Sequence, residues 1–363
     1  MKVLITGAHG FMGKHLIKKL KQYGIEYFSF DVENTDSELT HFVDSCDFIV
    51  HFAGVMRPLS NEEFYNSNFN LSKKLVDIIK RSNRNIPILL ASSTQATLDN
   101  DYGRTKKMCE DLVLNSGLPC YVFRFTNAFG KWGKPNYNSV ASTFFYNIAH
   151  NLDIYIRDPN YVIHFIYIDD IIDTVIKCIN GEISPSKNIL SITPVHDCTI
   201  GHLADLIRYF KKTIESDKHL PIINDDFELK LFISFCDYFS DEDHSFNYCV
   251  DSRGTFEEIF KSKKYGQISI NKAYPGVLRG GHYHTYKEEI FQTIKGKCLV
   301  RTREINSLKV EKNVMDGSFQ KQIHILPNKT HDIQNVGNTV SITLIWISEI
   351  YSEESSDTYK MDI

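Results

Sequence analysis

The side chains best suited to chemistry lie close together late in the chain, between positions 275 and 296. His282 and His284 are separated by one residue, and Glu289 follows shortly after them. Because alternate residues of a strand face the same side, one strand can present both histidines and the next can return Glu289 to them. Such a group predicts a site for a single metal ion, a general base, or both, at the mouth of a small β-barrel.

A second reactive set lies earlier in the chain, around a tyrosine–lysine pair. Tyr102 and Lys106 are four residues apart and therefore share one face of a helix. An ammonium close to a phenol lowers the pKa of the tyrosine, which proton transfer at neutral pH requires. Ser93 would position a carbonyl oxygen, with Ser92 and Thr94 as alternatives. This spacing is common and usually structural, so the catalytic interpretation depends on the elements around it.

Those elements begin with a glycine pattern at the N-terminus. A strand predicted over Lys2–Thr6 runs into a glycine-rich loop, and an amphipathic helix follows over residues 14–22. A strand, a glycine turn and a helix in this order are typical of dinucleotide binding, with the pyrophosphate at the helix N-terminus. A later strand, predicted over residues 86–91, leads to Ser93. We predict that the cofactor contacts Gly7, Gly10, Phe11, Gly13, Ala53 and Gly54, together with Tyr102 and Lys106.

The acid that ends the second strand bears on which nicotinamide cofactor binds. Asp31 follows the predicted strand Glu26–Phe30, and a carboxylate at this place binds a ribose 2′-hydroxyl and repels a 2′-phosphate. No arginine follows Asp31 before Arg57. By charge, Asp31 favours NAD(H). The alternative interpretation is that Asp31 is a helix cap or a loop acid.

Length and composition predict an ordinary two-domain protein. A chain of 363 residues exceeds the usual size of one core, and a net charge of −4 leaves no electrostatic footprint for nucleic acid. The 8 cysteines form no CxxC pair, which fits a reducing compartment, and no apolar run is long enough to span a membrane. We therefore expect a cytoplasmic protein without a nucleic-acid or membrane partner.

The domain organisation follows from a change of pattern near residue 247, where short alternating strands with Gly, Asn and Asp turns begin. We predict an α/β Rossmann-type domain with a substrate lobe over residues 1–243 and an all-β domain over residues 244–363. An acidic and aromatic linker is predicted near residues 237–246. Asn136 is a candidate substrate contact because amides suit sugar hydroxyls, although the segment around it could equally cap a helix. Asn127, in the segment 124–130, is a second candidate.

The N-terminal motifs resemble those of extended short-chain dehydrogenases/reductases. The resemblance rests on the GxxGxxG loop, the Ala53-Gly54 turn, Ser93 and the Tyr102–Lys106 pair. Two later segments also match, Arg124-Phe-Thr-Asn127-Ala-Phe-Gly130 and Phe165-Ile-Tyr-Ile-Asp169-Asp170. The resemblance implies that the first of these segments closes over the substrate and that the second supports the sheet.

The C-terminal motifs resemble those of cupins, whose fold is a double-stranded β-helix or jelly roll. The order Gly276-x5-His282-x-His284-x4-Glu289-x6-Gly296 matches the first cupin motif, and residues 317–335 match the second except for Lys329 in place of a glycine. The resemblance implies metal ligands at His282, His284, Glu289 and His331. Mixed histidine and carboxylate ligands suit Zn²⁺ or another divalent ion.

The same region also resembles the deoxysugar 3,5-epimerases of the cupin superfamily, which need no metal. The matching residues are Asp251-x-Arg253-Gly254-x-Phe256-x-Glu258 and Gly276-Val-Leu-Arg279-Gly-x-His282-Tyr. This resemblance implies that His282 is a base and that Arg279 contacts a sugar nucleotide. His284 stands where that family has an uncharged residue, so a metal ligand and a base both stay open as roles for His282.

Over nearly its whole length the chain resembles the CapF enzymes of capsular polysaccharide synthesis. The specific matches are Ser93-Thr-Gln-Ala-Thr, Gly130-Lys-Trp, Lys134-Pro-Asn-Tyr-Asn-Ser-Val140 and the cupin motif. The resemblance implies C3 epimerisation of a UDP-2-acetamido-2,6-dideoxy-4-hexulose in the cupin domain. Reduction at C4 by NADPH would follow, giving UDP-N-acetyl-6-deoxy-L-talosamine, a precursor of UDP-N-acetyl-L-fucosamine.

The same resemblance implies a homodimer and NADP(H), against the NAD(H) that Asp31 favours. Two other functions stay open. The protein could be a C4 reductase alone, with the cupin domain serving dimerisation and sugar-nucleotide binding. It could also be a nucleotide-sensing regulator, but the intact Tyr102 and Lys106 argue against that function, since a sensor does not need the pair.

Overall fold

The structure is a computed structural model that describes residues 1–55, 65–137, 139–216, 218–238, 248–319, 321–351 and 356–363. The chain forms two compact units, one of residues 1–207 with 225–239 and one of residues 208–224 with 240–363. The predicted domain boundary at residues 243 and 244, and most of the predicted linker, lie outside the described residues. In the described part of the chain, no helix has the length and apolar character needed to cross a membrane.

The first unit contains a parallel sheet flanked by helices. Its strands are β1 (Lys2–Thr6), β2 (Glu26–Phe30), β3 (Phe48–His51), β4 (Ile88–Ser93), β5 (Cys120–Phe125), β6 (Asn127–Phe129), β7 (Val162–Tyr167), β8 (Ile189–Leu190) and β9 (His196–Thr199). Its helices are α1 (Phe11–Gln22), α2 (Asp36–Ser45), α3 (Leu71–Arg81), α4 (Asp101–Leu114), α5 (Val140–Ala149), α6 (Ile168–Ile179), the start of α7 (Ile200–Glu215), and α8 (Asp226–Cys236). A π-helical turn, Tyr65–Asn70, precedes α3, and a 3₁₀ turn, Thr94–Thr97, follows β4.

The main sheet has the strand order β2-β1-β3-β4-β5-β8, and all its pairs are parallel. From β1 the chain moves outward to β2 and then returns to the other side of β1 at β3, so the topological switch point lies between β1 and β3. Ligands of open α/β sheets bind outside the carboxyl ends of the strands at such a point. The loops after β1, β2, β3 and β4 all emerge at this edge, which confirms the predicted Rossmann-type architecture.

Burial explains why these strands read as nearly continuous apolar runs. All four residues of β3 are buried, as are the last four of β1 and the first five of β4, because helices cover both faces of a parallel sheet. The strand predicted over residues 86–91 runs instead from Ile88 to Ser93, since its parallel pairing with β5 continues to Ser93 and Phe125. Ser92 and Ser93 are therefore the last two residues of the strand.

The helix that carries Tyr102 and Lys106 begins at a defined cap. The side chain of Asn100 accepts a hydrogen bond from the backbone N–H of Gly103 at 2.7 Å, which satisfies one of the unpaired amides of the first turn of α4. A Cβ atom added to Gly103 would lie 2.2 Å from the carbonyl oxygen of Gln95, so only glycine lets the helix start this close to the turn after β4. The cap and this close approach position Tyr102 beside the end of β4.

The second unit is all-β where it carries the histidine cluster. Its strands are β10 (Tyr248–Asp251), β11 (Gly254–Ser262), β12 (Gly266–Ala273), β13 (Leu278–Tyr283), β14 (Glu289–Lys295), β15 (Lys297–Glu304), β16 (Glu311–Asp316), β17 (Gln322–Ile325), β18 (Lys329–Asn335), β19 (Ser341–Ile347) and β20 (Tyr359–Lys360). They form one sheet in the order β10-β11-β12-β19-β14-β17 and another in the order β16-β15-β18-β13-β20, with antiparallel pairing. This architecture confirms the predicted cupin or jelly-roll fold.

The core of the second unit contains alternate residues of both sheets. Phe291 and Ile345 come from the first sheet, while Val300 and Ile333 come from the second. Alternation places every second residue of β14 and β18 towards this core, and the polar residues of the cluster take the inward positions at one end. The inward-facing residues of these strands are therefore apolar in the core and polar at the end that holds the cluster.

Candidate functional site

The glycine loop of the first unit packs tightly against the end of β3. Gly7 has a φ of +69°, and a Cβ atom added to it would lie 2.7 Å from the backbone nitrogen of Ala53. A Cβ atom on Gly13 would lie 2.3 Å from the carbonyl oxygen of Gly7. Gly10, the N-cap of α1, supplies no side-chain hydrogen bond to the first amides of the helix. These amides and the helix dipole suit a pyrophosphate, so the residues present fit a dinucleotide.

Asp31 has a role within this loop that the sequence did not reveal. Its carboxylate accepts hydrogen bonds from the backbone N–H groups of His9, at 2.8 Å, and Val32, at 3.0 Å. The side chain is 17% exposed. Asp31 therefore holds the glycine loop against the end of β2, at the strand end where a ribose would bind. Its effect on cofactor choice stays a prediction.

Ser93, Tyr102, Asn127 and Phe11 line one cavity of about 500 Å³ at the switch-point edge of the sheet. Lys106 lies beneath it and is buried, with its ammonium donating to the carbonyl oxygen of Ala91 at 2.9 Å. The ammonium is 5.8 Å from the centre of the Tyr102 ring. A Cβ atom on Gly54 would lie 3.2 Å from the same nitrogen. The structure thus brings together Ser93, Tyr102, Lys106, Gly54 and Phe11, which are distant in the sequence.

The two serine hydroxyls at the end of β4 differ in their partners. Ser92 is buried, and its Oγ donates at 2.6 Å to the carboxylate of Glu110, which is itself fully buried and paired with Arg124 at 2.7 Å. Ser93 is half-buried, and its Oγ accepts a hydrogen bond from the backbone N–H of Gln95 at 3.2 Å. The Ser92 hydroxyl therefore donates to a buried carboxylate, whereas the Ser93 hydroxyl donates to no acceptor among the described residues. Both serines line the cavity.

Sequence reasoning missed the Ser92–Glu110–Arg124 network. The available signal was spacing, because Glu110 follows Tyr102 and Lys106 at successive four-residue steps on one face of α4. His164 was missed as well. It lines the cavity, and its imidazole lies 2.6 Å from the carboxylate of Asp197.

The two predicted substrate amides lie in different places. Asn127 lines the cavity of Tyr102, and its amide donates to the carbonyl oxygen of His164 at 3.3 Å. Asn136 lines a separate cavity of about 450 Å³, and its backbone N–H donates to the hydroxyl of Thr143 at 3.0 Å. The structure therefore does not bring Asn136 into the cavity that holds Tyr102.

The second unit brings His282, His284, Glu289 and His331 into one cluster. One potential ligand atom from each side chain lies within 4.8 Å of all the others. His282 and His331 are paired residues on neighbouring strands β13 and β18, with a bulge between Gly280 and His282. Glu289 comes from the opposite sheet, where it is the first residue of β14. Together the two sheets supply a four-residue site that no single strand could form.

Hydrogen bonds on the far side of two imidazoles leave their other nitrogens facing the cluster. His284 Nδ1 lies 2.6 Å from the carbonyl oxygen of Asp357, and His331 Nδ1 lies 3.2 Å from that of Lys329. A carbonyl oxygen can only accept, so each Nδ1 carries a proton, and in the neutral form of each imidazole Nε2 keeps a lone pair. This is the arrangement in which metal-binding histidines are commonly held.

The facing atoms lack hydrogen-bond partners. Among the described residues, His284 Nε2, His331 Nε2 and Glu289 Oε2 are all buried without one. Glu289 Oε2 lies 2.7 Å from His331 Nε2 and 3.7 Å from His284 Nε2, and neither contact forms a hydrogen bond. Buried polar atoms are rarely left unsatisfied. Three of them converging on one point fit a divalent metal ion with nitrogen and oxygen ligands.

The same neighbours shift the pKa values of the cluster. Burial lowers the pKa of His282 to about 4. Burial alone would raise the pKa of Glu289, but His284 and His331 outweigh it and lower that pKa. Burial also opposes charge on His284, yet Glu289 raises its pKa above the ordinary value. A carboxylate between two imidazoles is therefore held in its charged form.

The cluster opens into a cavity of about 470 Å³ that also contains Arg279. The guanidinium of Arg279 lies 3.2 Å from the carboxylate of Asp251, and its Nε is buried without a hydrogen-bond partner. Arg253 also lines the cavity and pairs with Asp251 at 2.6 Å. The structure thus brings Arg279 and the cluster together and places the predicted epimerase motif along the same wall. Gln267 and Ser269, which sequence reasoning missed, line it too.

Known proteins match the chain over each unit and over its full length. Residues 3–192 match the NAD dependent epimerase/dehydratase family, and residues 249–359 match the Polysaccharide biosynthesis C-terminal domain. A Pseudomonas aeruginosa protein named UDP-2-acetamido-2,6-beta-L-arabino-hexul-4-ose reductase is 36% identical over 372 aligned positions, covering 100% of this chain and 99% of that protein.

Two solved structures show the extent of the similarity. The crystal structure of capsular polysaccharide assembling protein CapF from Staphylococcus aureus has a TM-score of 0.91, 35% sequence identity and 100% coverage of both chains. The UDP-glucose 4-epimerase of Thermotoga maritima covers 66% of this chain at a TM-score of 0.56, matching over 98% of its own length. At 16% identity, the second likeness concerns the fold alone.

The fold and the two groups of side chains define an extended short-chain dehydrogenase/reductase joined to a cupin domain, with a first domain of the kind that binds a nicotinamide cofactor. Within that class, the similarity to CapF and to the Pseudomonas protein extends over the whole chain. The chain therefore belongs to the CapF family.

Proposed function

We propose that this protein is a bifunctional UDP-sugar enzyme that epimerises C3 of a UDP-2-acetamido-2,6-dideoxy-4-hexulose and then reduces C4. The product is UDP-N-acetyl-6-deoxy-L-talosamine, a precursor of UDP-N-acetyl-L-fucosamine. The observation that carries the reductase step is the convergence of Ser93, Tyr102 and Lys106 at one cavity edge in a chain that aligns end to end with a UDP-sugar reductase. The histidine cluster, in a separate cavity, carries the epimerase step.

The order of the two steps follows from the acidity of the substrate. A proton on C3 is acidic only while C4 is a ketone, because the ketone takes up the negative charge left on C3. Once C4 is an alcohol, a side chain with a pKa near neutral cannot remove the C3 proton. Epimerisation must therefore come before reduction.

In the reductase site, a nicotinamide cofactor held by the glycine loop would supply the hydride that C4 accepts. Tyr102 gives its phenolic proton to the C4 oxygen as the alcohol forms. The Lys106 ammonium, held beneath the cavity by its hydrogen bond to Ala91, places a positive charge 5.8 Å from the centre of the Tyr102 ring. The Ser93 hydroxyl donates a hydrogen bond to the ketone oxygen and so positions that oxygen next to Tyr102. Asn127 contacts the sugar.

In the cupin site, His282 lies at the wall of the cavity and either removes the C3 proton or holds a metal ion. His284, Glu289 and His331 would hold that ion, Zn²⁺ or another divalent metal, through their unpartnered atoms. A bound divalent ion would stabilise negative charge on the C4 oxygen. Arg279, whose Nε is buried and unpaired, binds the charged part of the sugar nucleotide.

NMR of a UDP-4-keto sugar in deuterated buffer tests both steps in one sample. Without reduced cofactor, deuterium should enter C3 of the recovered ketone. With reduced cofactor, the alcohol should carry deuterium at C3 and the transferred hydrogen at C4. Tyr102→Phe should retain the C3 exchange and lower ketone reduction about 10²- to 10⁴-fold. Reduction at the wild-type rate by Tyr102→Phe would show that the acid has been misassigned.

The same exchange tests the metal. Protein treated with a chelator and shown to be metal-free should lose C3 exchange, and added Zn²⁺ should restore it. Full exchange in the metal-free protein would mean that the ion has no part in this step. Tyr102-dependent reduction of an already epimerised ketone serves as the control, since the first unit should be unaffected.

The reductase-only function is the second candidate, because the Pseudomonas relative is named as a reductase. It predicts no deuterium at C3 in the absence of reduced nicotinamide, with the cupin domain binding sugar nucleotide without turnover. We further propose a homodimer, which sedimentation equilibrium would test.

The proposed cofactor is NADPH, as in the family resemblance, although the position of Asp31 favours NADH by charge. Dissociation constants for the two reduced cofactors, measured by fluorescence titration, decide between them. Tighter binding of NADH would mean that Asp31 repels the 2′-phosphate. Tighter binding of NADPH would mean that the carboxylate is engaged by the loop amides of His9 and Val32.

A further inference from the structure

The last eight residues of the chain lie along the histidine cluster. Residues 356–363, here called the C-terminal segment, contain β20, which pairs with β13 so that Lys360 lies opposite His282 and Tyr359 opposite Tyr283. The backbone N–H of Met361 donates to the carbonyl oxygen of Gly281 at 2.9 Å. The C-terminal segment is therefore the edge of the sheet that carries two members of the cluster.

The carboxylate of Asp357 connects the C-terminal segment to the turn that follows His284. Its carboxylate accepts hydrogen bonds from the backbone N–H groups of Thr285 at 3.0 Å, Tyr286 at 3.1 Å and Lys287 at 3.3 Å, and from the Thr285 hydroxyl. The residue is only 8% exposed. Three successive amides converging on one carboxylate form an anion-binding turn, and here the anion comes from the protein itself.

A second hydrogen bond connects the C-terminal segment to the same turn. The ammonium of Lys287, a residue that is 2% exposed, donates to the carbonyl oxygen of Ser356 at 2.7 Å. Asp357 also has a φ of 40°, in the left-handed region that asparagine, aspartate and glycine tolerate best. The surrounding bonds hold the backbone in this conformation, so that its carbonyl group points at the cluster.

That carbonyl group is the link to the proposed metal ligand. It accepts the Nδ1 proton of His284 at 2.6 Å. The bond places the proton on Nδ1 and leaves Nε2, 3.7 Å from Glu289 Oε2, with its lone pair towards the cluster. If the carbonyl turned away, the ring could rotate or take the other tautomer, and its Nε2 would no longer be a ligand.

We infer that Asp357 is a positioning residue, whose carboxylate pins the turn after His284 and whose carbonyl selects the metal-binding tautomer of that histidine. The inference rests on the proposed metal site for its role in ion binding. The selection of the tautomer does not depend on an ion. The proposed ligands lie at residues 282–331, whereas this contribution comes from Asp357.

The test uses the full-length protein and the substitution Asp357→Asn. Asparagine tolerates the same backbone conformation, but it loses the charge and one acceptor oxygen. Affinities for Zn²⁺ and Co²⁺ are measured by competition with a chromophoric chelator, and the visible spectrum of bound Co²⁺ reports the ligand geometry. Loss of an outer partner of a metal-binding histidine typically weakens metal binding about 10- to 100-fold. We expect a loss in that range and a changed Co²⁺ spectrum for Asp357→Asn.

Asp316→Asn is the matched control. The Asp316 carboxylate also accepts hydrogen bonds from a backbone N–H and a hydroxyl, both of Ser318, but it lies on β16 at the opposite edge of the sheet. Both affinities and the Co²⁺ spectrum should match wild type in this variant. Equal losses in the two variants would reduce Asp357 to a general contributor to stability and overturn the inference.

A metal-free measurement separates this inference from the metal proposal. In protein with ¹⁵N-labelled histidine, two-bond ¹H–¹⁵N spectra distinguish the two tautomers, and His284→Gln assigns the signal. The wild type should show His284 protonated on Nδ1, and Asp357→Asn should show a mixture. If the wild type binds neither ion, the metal proposal fails while the tautomer still tests Asp357. An unchanged tautomer in Asp357→Asn would overturn the inference whether or not a metal binds.

Discussion

Replacing Ser92 and Ser93 by alanine, one at a time, should separate stability from catalysis at the end of β4. Ser92 Oγ is one of the donors to a fully buried carboxylate, that of Glu110. Its removal leaves a buried acceptor short of a partner, which costs about 1–3 kcal/mol of unfolding free energy. Because Arg124 still pairs with Glu110 at 2.7 Å, the lower half of this range is expected. The rate of ketone reduction should change no more than a few-fold.

Ser93→Ala should have the opposite effect. Ser93 accepts a single 3.2 Å hydrogen bond from the Gln95 amide in a turn, and loss of such a cap costs about 0.5–1 kcal/mol. In the proposed mechanism, however, its hydroxyl stabilises the oxygen on which negative charge develops. Removing one donor of that kind lowers kcat about 10²- to 10³-fold, or about 2.7–4 kcal/mol.

The assay combines kcat from nicotinamide absorbance with urea unfolding of the first unit, followed by a probe within it. Ser37→Ala is the control, because Ser37 is exposed on α2, does not line the cavity that holds Tyr102, and should change neither quantity. These assignments are contradicted if Ser92→Ala keeps the wild-type free energy of unfolding but has no turnover, while Ser93→Ala is fully active. They are also contradicted if both variants lose stability equally and activity equally.

Two further outcomes follow from the first unit. Gly13→Ala would place a Cβ atom 2.3 Å from a backbone oxygen of the glycine loop. It should weaken nicotinamide binding at least tenfold, measured by titration, and lower the free energy of unfolding by about 1–3 kcal/mol, measured in urea. Gly24→Ala, at φ +65° with open space around it, should lose about 1–2 kcal/mol through backbone strain alone and bind cofactor normally. Burial, assisted by the Lys106 charge, lowers the pKa of His51 to about 3. Because the unfolded histidine binds a proton near pH 6.5 and the folded one does not, its stabilising contribution is present above pH 6.5 and is lost as pH falls towards 3. Between pH 7.5 and 4.5 the wild type should lose on the order of 2–3 kcal/mol more than His51→Gln in urea unfolding, and parallel profiles would contradict the assignment.

Much of the candidate site could be predicted because its members are arranged by local geometry. Tyr102 and Lys106 share a helix face, and His282 and His284 follow the alternation of a strand, so their spacing alone limits where their side chains point. The glycine loop was also predictable, since Gly7 takes a positive φ in the turn and Gly13 closely approaches Gly7 and Ala8 within the same strand–turn–helix unit.

The parts that sequence reasoning left open or missed depend on partners far along the chain. Ser92 and Ser93 are chemically identical neighbours, and only the buried Glu110 on the adjoining helix distinguishes them. The position of Asp31 after a strand predicts a ribose ligand. Its hydrogen bond from the backbone N–H of His9 forms only when the loop is folded, so the sequence does not show it. Asn136 resembles a substrate contact in sequence but lines a different cavity.

The sequence by itself determined the change from an α/β to an all-β pattern, the glycine loop and the grouping of His282, His284 and Glu289, because each follows from periodicity and spacing over a short stretch. The two family folds and the addition of His331 came from the resemblance to known motifs. Tertiary structure alone decided which serine hydroxyl is bonded to a buried carboxylate and which atom orients His284, a carbonyl more than 70 residues away at Asp357. Hydrogen-bond partners across such separations are set when the sheets pair and the core packs. Residue patterns over a short stretch of sequence do not specify which distant residues become hydrogen-bond partners.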